Sequence, residues 1–196
     1  MTRAAGGATL PRATTSNRSH TMILLVVDMQ AKKFSTASHA WLLENVAREV
    51  RDAKAAGWGV VFLEYTRGVG KGGVDLAHRT HDSLTQIVAD YGHAITVHKE
   101  HDDGSAEVLH AADDWWNDAG AEHIRAGIRV VGVNTEACVA GTINGLAESA
   151  PDVEITVVGD ACNGQQEAYD GSPAPNNAGQ DRIVTEGRRV RVLQVA

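Results

Sequence analysis

The sequence is short of cysteine, of long apolar runs and of positive charge. Two cysteines in 196 residues cannot build a disulfide framework, so a reducing, cytoplasmic setting is the expectation. The longest purely apolar run, Met22 to Val27, falls far short of the ~20 residues that a membrane span needs. Lys and Arg number 18 against 25 Asp and Glu, a formal charge of −7. That balance argues against the basic footprint of a nucleic-acid binder or of a protein that sits on anionic lipid. What remains is 43% hydrophobic and 22% charged, the composition of a soluble globular chain. Its length suits one core at the upper end of domain size and is too short for two full domains.

Residues 1–21 differ from the rest. They carry Arg3, Arg12 and Arg18, no acid, and a scatter of Thr, Ser, Ala and Gly with no helical or strand period. We read them as a disordered tail ahead of a single domain over 22–196. Arg- and Ser-rich, acid-poor segments also serve as transit peptides, but this one lacks amphipathic periodicity. Met22 stands at the start of the first expected strand and is a candidate start for the native chain.

Beyond Met22, short apolar runs alternate with longer amphipathic stretches, which is the pattern of βαβ units on a parallel sheet. The strands are expected at Met22–Val27, Trp58–Leu63, Ala94–His98, Ile128–Val133, Val153–Val158 and Val190–Val195. Helical faces are expected from Leu42, Val46, Val50 and Ala53; from Leu84, Ile87, Val88 and Tyr91; from Val108, Leu109, Ala112, Trp115 and Trp116; and from Val139, Ile143, Leu146 and Ala147. The fold class is therefore α/β: three layers, helices on both sides of an open six-stranded parallel sheet, with the Rossmann-like order 3-2-1-4-5-6. Asn163–Gly179, rich in Asn, Gly, Gln and Pro, reads mostly as loop.

Open parallel sheets bind ligands beyond the carboxyl ends of their strands, and three reactive residues stand there. Asp28 follows strand one, Lys99 follows strand three, and Cys138 lies five residues past strand four. In the expected order strands one and four are neighbours, and strand three is ~10 Å from strand one, a gap that a lysine largely spans. Singly, each residue has a plainer reading: a turn aspartate, a solvated lysine, a small buried thiol. Together they describe a thiol near a helix start, a cation that lowers its pKa and a carboxylate that takes its proton, which is an activated nucleophile.

The segments that carry these residues, hydrophobic-Asp-Met-Gln, a strand-end Lys, and Gly-Val-Asn-Thr-Glu-Ala-Cys-Val-Ala-Gly-Thr, resemble in order the signature segments of the isochorismatase-like cysteine hydrolases. That group includes nicotinamidases, carbamoylsarcosine-type amidohydrolases and isochorismatases. The resemblance implies Asp28 as general base for Cys138, Lys99 as the stabiliser of the anion, and an oxyanion hole from the backbone N–H groups of Asn134 and Cys138. It also implies a non-proline cis peptide between Val133 and Asn134. No cofactor is expected, and relatives commonly form dimers or tetramers, so a homo-oligomer acting on a small molecule is the expectation.

Substrate features are sparser. The Asp-x-His metal pair that nicotinamidases of this group carry after strand two is missing, because that place reads Glu64-Tyr65-Thr66-Arg67. Asp75, His78 and His81 have a spacing that suits a metal on a helical turn, although no metal is expected. Arg67 points to a carboxylate-bearing substrate, with an exposed loop arginine as the commoner reading, and Phe34 reads equally as an aromatic wall of the pocket or as a core phenylalanine. Gly68–Gly73 fails the phosphate-loop pattern, since Tyr65 and Gly72 stand where Gly and Ser or Thr are needed. A glycine-rich lid over the site fits it better. Cys162 reads as a packing residue and Asp160 as a loop-shaping one. Hydrolysis of a small amide or carbamoyl compound leads. Vinyl ether hydrolysis of the isochorismatase type is the alternative, followed by a silent binding member, which retention of Asp28, Lys99 and Cys138 disfavours, or a redox-sensing one, where the lack of a Cys-x-x-Cys pair disfavours dithiol work.

Overall fold

The computed structural model describes residues 22–31, 40–66, 79–116, 127–163 and 182–193, the last four of 79–116 as backbone alone. Six parallel strands, β1 (Ile23–Val27), β2 (Gly59–Tyr65), β3 (Ala94–Lys99), β4 (Ile128–Val133), β5 (Ile155–Asn163) and β6 (Val190–Leu193), form one sheet of order β3-β2-β1-β4-β5-β6. This is the expected order. The β1 sequence Ile-Leu-Leu-Val-Val is buried at every position, as a central parallel strand covered on both faces must be.

The pleat divides the apolar side chains into two cores. Leu25, Val27, Leu63 and Val130 pack toward helices α3 (Ser105–Trp116) and α4 (Ala140–Ser149). Leu24, Val26, Phe62 and Val131 pack toward α1 (Ala40–Ala55) and the short α2 (Asp82–Thr85). The stripe Leu42, Val46, Val50 and Ala53 on α1 is wholly buried. Gly57, at φ 74, ends that helix by letting the Trp58 amide return to Ala53 O at 2.9 Å. A bidentate pair, Arg129 to Glu49 at 2.6 and 3.2 Å, ties α1 to β4. No helix among the described residues is long and apolar enough to cross a membrane.

Three local expectations change. The apolar face at 84–91 is one α-turn followed by a 3-10 turn, Gln86–Val88, rather than one regular helix. The fifth strand runs past Gly159 to Asn163. Asp160 therefore lies in the strand, where its carbonyl accepts from Asn45 Nδ2 at 2.6 Å and its carboxylate meets Arg48 at 2.7 Å. No cis peptide occurs among the described residues, so the bond between Val133 and Asn134 is trans. The chain turns there through a left-handed Asn134 at φ 59 and ψ 56. The tail at 1–21, the loop at 164–181 and the glycine-rich run at 68–73 lie outside the described residues.

Candidate active site

Val26 faces α1 and Val27 faces α3 and α4, so an unbroken pleat would send residue 28 toward α1. Asp28 instead adopts φ 55, a left-handed conformation that Asp tolerates better than most residues. Its amide is held by Leu63 O at 2.9 Å. Its Oδ1 lies 3.7 Å from Lys99 Nζ, and both side chains are fully buried.

Lys99 is the last residue of β3, on the face shared by Ile95 and Val97, which pack with the α3 and α4 core. Its ammonium donates to Asp102 O at 2.9 Å and sits 5.9 Å from the centroid of the Tyr65 ring, within cation–π range. Tyr65 is the register partner of Lys99. The Gln30 amide grips its backbone at both ends, donating to Tyr65 O at 3.0 Å and accepting from Tyr65 N at 3.2 Å. Gln30 therefore locks the end of β2 to the turn that carries Asp28.

Cys138 occupies one turn of π-helix, Thr135–Val139, between β4 and α4, a local geometry that recurs at functional sites. The Ala137 and Val139 amides both return to Asn134 O, at 3.0 and 3.1 Å. The thiol is 4% exposed. Asn134 Nδ2 stands 3.8 Å from Sγ, and Asp102 Oδ1 stands 3.7 Å from it. Asp102 belongs to the loop from β3 to α3, and α4 seats that loop: Gly104 N donates to Thr142 Oγ1 at 3.1 Å, and the hydroxyl donates on to Asp102 O at 3.3 Å. The approach is close enough that a Cβ on Gly145 would stand 2.3 Å from Ser105 Oγ.

The structure thus brings Asp28, Lys99, Asn134 and Cys138 to one end of the sheet. Phe34 and Arg67 lie outside the described residues, as do Asp75 and His78. His81 is described, and its Nδ1 accepts from Ser83 N at 3.2 Å to cap α2. Among the described residues no group of three His, Cys, Asp or Glu could hold a metal. Cys162 is fully buried within β5, with Sγ 3.9 Å from Val130 O, and burial pushes its thiol up to about 12. Three neighbours of these residues were not foreseen from the sequence: Asp102, the side chain of Asn134, and the Gln30–Tyr65 clamp. The only sequence signal for Asp102 was its place in the short loop directly after the strand-end lysine.

The family model described as "Isochorismatase domain" matches residues 22–170. The chain belongs to the isochorismatase family. It is by that membership a hydrolase, and the sheet order and helical layers agree with the family's fold. No curated protein sequence matches this chain. Among solved structures, this isochorismatase-family chain is similar to an N-carbamoylsarcosine amidase from Thermoplasma acidophilum, at 15% identity and a TM-score of 0.62 over 88% of this chain and 95% of the other. It is similar to a pyrazinamidase/nicotinamidase from Streptococcus mutans UA159, at 16% identity and a TM-score of 0.61 over 87% and 100%. It is also similar to a nicotinamidase from Staphylococcus aureus, at 14% identity and a TM-score of 0.58 over 78% and 90%. At these identities the likeness speaks for the fold.

Proposed function

We propose that this isochorismatase-family hydrolase cleaves the C–N bond of a small amide or carbamoyl compound through an acyl-enzyme on Cys138. The observation that carries the reading is the fully buried Asp28–Lys99 pair at 3.7 Å, joined through Asp102 to a thiol that is itself 4% exposed. An ion pair in such a place is costly to desolvate and a weak source of stability, which favours a chemical role.

In this reading Asp28 takes the thiol proton and sulfur attacks the carbonyl carbon, forming the C–S bond. The N–H groups of Asn134 and Cys138 hold the oxyanion, and the Asn134 side chain, 3.8 Å from Sγ, stabilises the thiolate by donating to it. The C–N bond breaks with its electron pair on nitrogen, and Asp28 returns the proton to the leaving amine. Water then adds to the thioester, its proton passing to Asp28. The C–S bond breaks, the acid leaves, and the proton returns to sulfur. Lys99 holds Asp28 in place and offsets its charge. The absence of the nicotinamidase Asp-x-His pair argues for an amide without a pyridine nitrogen to anchor. Vinyl ether hydrolysis makes no use of a thiol, so the polar groups gathered at Sγ favour amides.

The test is ammonia release from a panel of small amides by the native protein and its Cys138→Ala variant, beside iodoacetamide labelling of Cys138 across pH. Turnover that disappears in the variant is expected. No turnover, together with a Cys138 thiol that titrates near the ordinary ~8.5, overturns the proposal.

A further inference from the structure

Asp102 is exposed, whereas the sulfur 3.7 Å from its Oδ1 is buried. The carboxylate therefore borders the thiol on its solvent side. It is held there from behind, since its own carbonyl accepts from both Lys99 Nζ and Thr142 Oγ1. Gly141 on α4 leaves room for this backbone: a Cβ there would meet Asp102 C at 3.3 Å. The adjacent acid, Asp103, is used differently, its Oδ1 accepting from Ser105 N at 2.8 Å at the start of α3.

Lys99 and Asp28 face one another and offset each other. Asp102 places a carboxylate 3.7 Å from the nucleophile, a distance at which even water-like screening leaves ~1 kcal/mol per unit charge, and Glu136, two residues before Cys138 in the same π-turn, adds a further acid nearby.

We propose that Asp102 sets the charge specificity of the site. Its carboxylate accepts N–H groups from neutral or cationic amides and turns away substrates that carry a carboxylate next to the scissile bond. The inference rests on Cys138 being the nucleophile of the proposed reaction. It opposes the preference that Arg67 suggested from the sequence.

Two methanethiosulfonate reagents of similar size, one bearing a trimethylammonium group and the other a sulfonate, test it without any need for turnover. The reference is the cation-to-anion rate ratio of a small free thiol, because the thiolate's own charge already favours the cation. At low ionic strength the ratio at Cys138 exceeds that reference. In Asp102→Asn, which keeps the backbone carbonyl that Lys99 uses, the cation slows and the anion accelerates, each by up to about fivefold, the factor for one unit charge at ~4 Å in water. In the native protein the excess over the free thiol shrinks as salt rises, a readout that survives if the variant does not fold. A native ratio at or below that of the free thiol, or a ratio unchanged in Asp102→Asn, overturns the proposal. Matched amides bearing an ammonium, no charge or a carboxylate supply the second arm. A labelling ratio that collapses in the variant while no amide is cleaved supports the charge filter and sinks the hydrolase reading. Amide turnover with an unchanged ratio does the reverse.

Discussion

Replacing Lys99 by Met removes one partner of an ion pair whose two side chains are both wholly out of solvent. At 3.7 Å the attraction amounts to about 4 kcal/mol at an effective dielectric near 20, and the cost of desolvating both ions offsets most of it. The pair as a whole is therefore close to neutral for stability, whereas either charge left alone is not. Lys99→Met leaves the Asp28 carboxylate without its facing cation, and Asp28→Asn leaves the ammonium without its facing anion. Each is expected to cost about 3–5 kcal/mol, or roughly 6–20 °C in Tm for a chain of this size. The double variant buries neither charge, so it is expected to be no less stable than the weaker single one, a coupling of about 3 kcal/mol. Thermal and urea unfolding of the four proteins close the cycle. Amide hydrolysis gives a second readout that separates packing from chemistry, because all three variants are expected to be inactive even where stability returns. Single effects that add to within about 0.5 kcal/mol would refute the reasoning, since independent charges do not share a pocket.

Three other outcomes follow from the same geometry. Iodoacetamide at pH 8 is expected to add once to the folded protein, at Cys138: with a pKa of about 12 Cys162 is roughly one part in ten thousand thiolate, and intact mass should show a second adduct only in denaturant. Gly132→Ala is expected to yield no folded protein, because at φ 141 its Cβ would stand 2.2 Å from Val27 O between the two central strands; a soluble, active variant contradicts the register. Gly145→Ala drives a methyl into Ser105 Oγ at 2.3 Å and the Asp103 carboxylate at 2.5 Å. An overpacking cost of about 1–3 kcal/mol is expected in urea titrations, with a changed cation-to-anion labelling ratio as the loop that carries Asp102 shifts; an unchanged ratio would show that α4 does not seat that loop.

The strands were legible because each is a short apolar run set between amphipathic stretches, and the outer four boundaries of β1 and β4 fall within one residue of expectation. The meeting of Asp28 and Lys99 was legible because both stand at the carboxyl ends of strands on one side of the sheet. The end of β5 was not, because Gly159-Asp160 reads locally as a turn, whereas the strand passes through an irregularity there and pairs again with β4 at Gly132↔Cys162 and Val133↔Asn163, with the distant Asn45 and Arg48 binding Asp160. Asp102 was hidden for a related reason. Its approach to Cys138 depends on α4 presenting Gly141, Thr142 and Gly145 to the loop after β3, and residues about forty positions apart leave no local pattern.

The two described non-glycine residues with positive φ, Asp28 and Asn134, directly follow the neighbouring strands β1 and β4, and both border the proposed centre. This conformation is costly for most side chains and least so for Asn and Asp, whose short polar groups bond locally. The residue types that tolerate the sharp turn are thus also those able to hold a proton or donate to sulfur. A family-style cis peptide was expected to redirect the chain after Val133; here a left-handed Asn134 redirects it with a trans bond and also supplies Nδ2 to the thiol. Asn134→Gly tests whether these roles separate. Glycine adopts the same φ at no steric cost, so the fold should be retained, while labelling of Cys138 should slow as the thiolate loses a donor. Unchanged labelling would mean that Asn134 serves the turn alone.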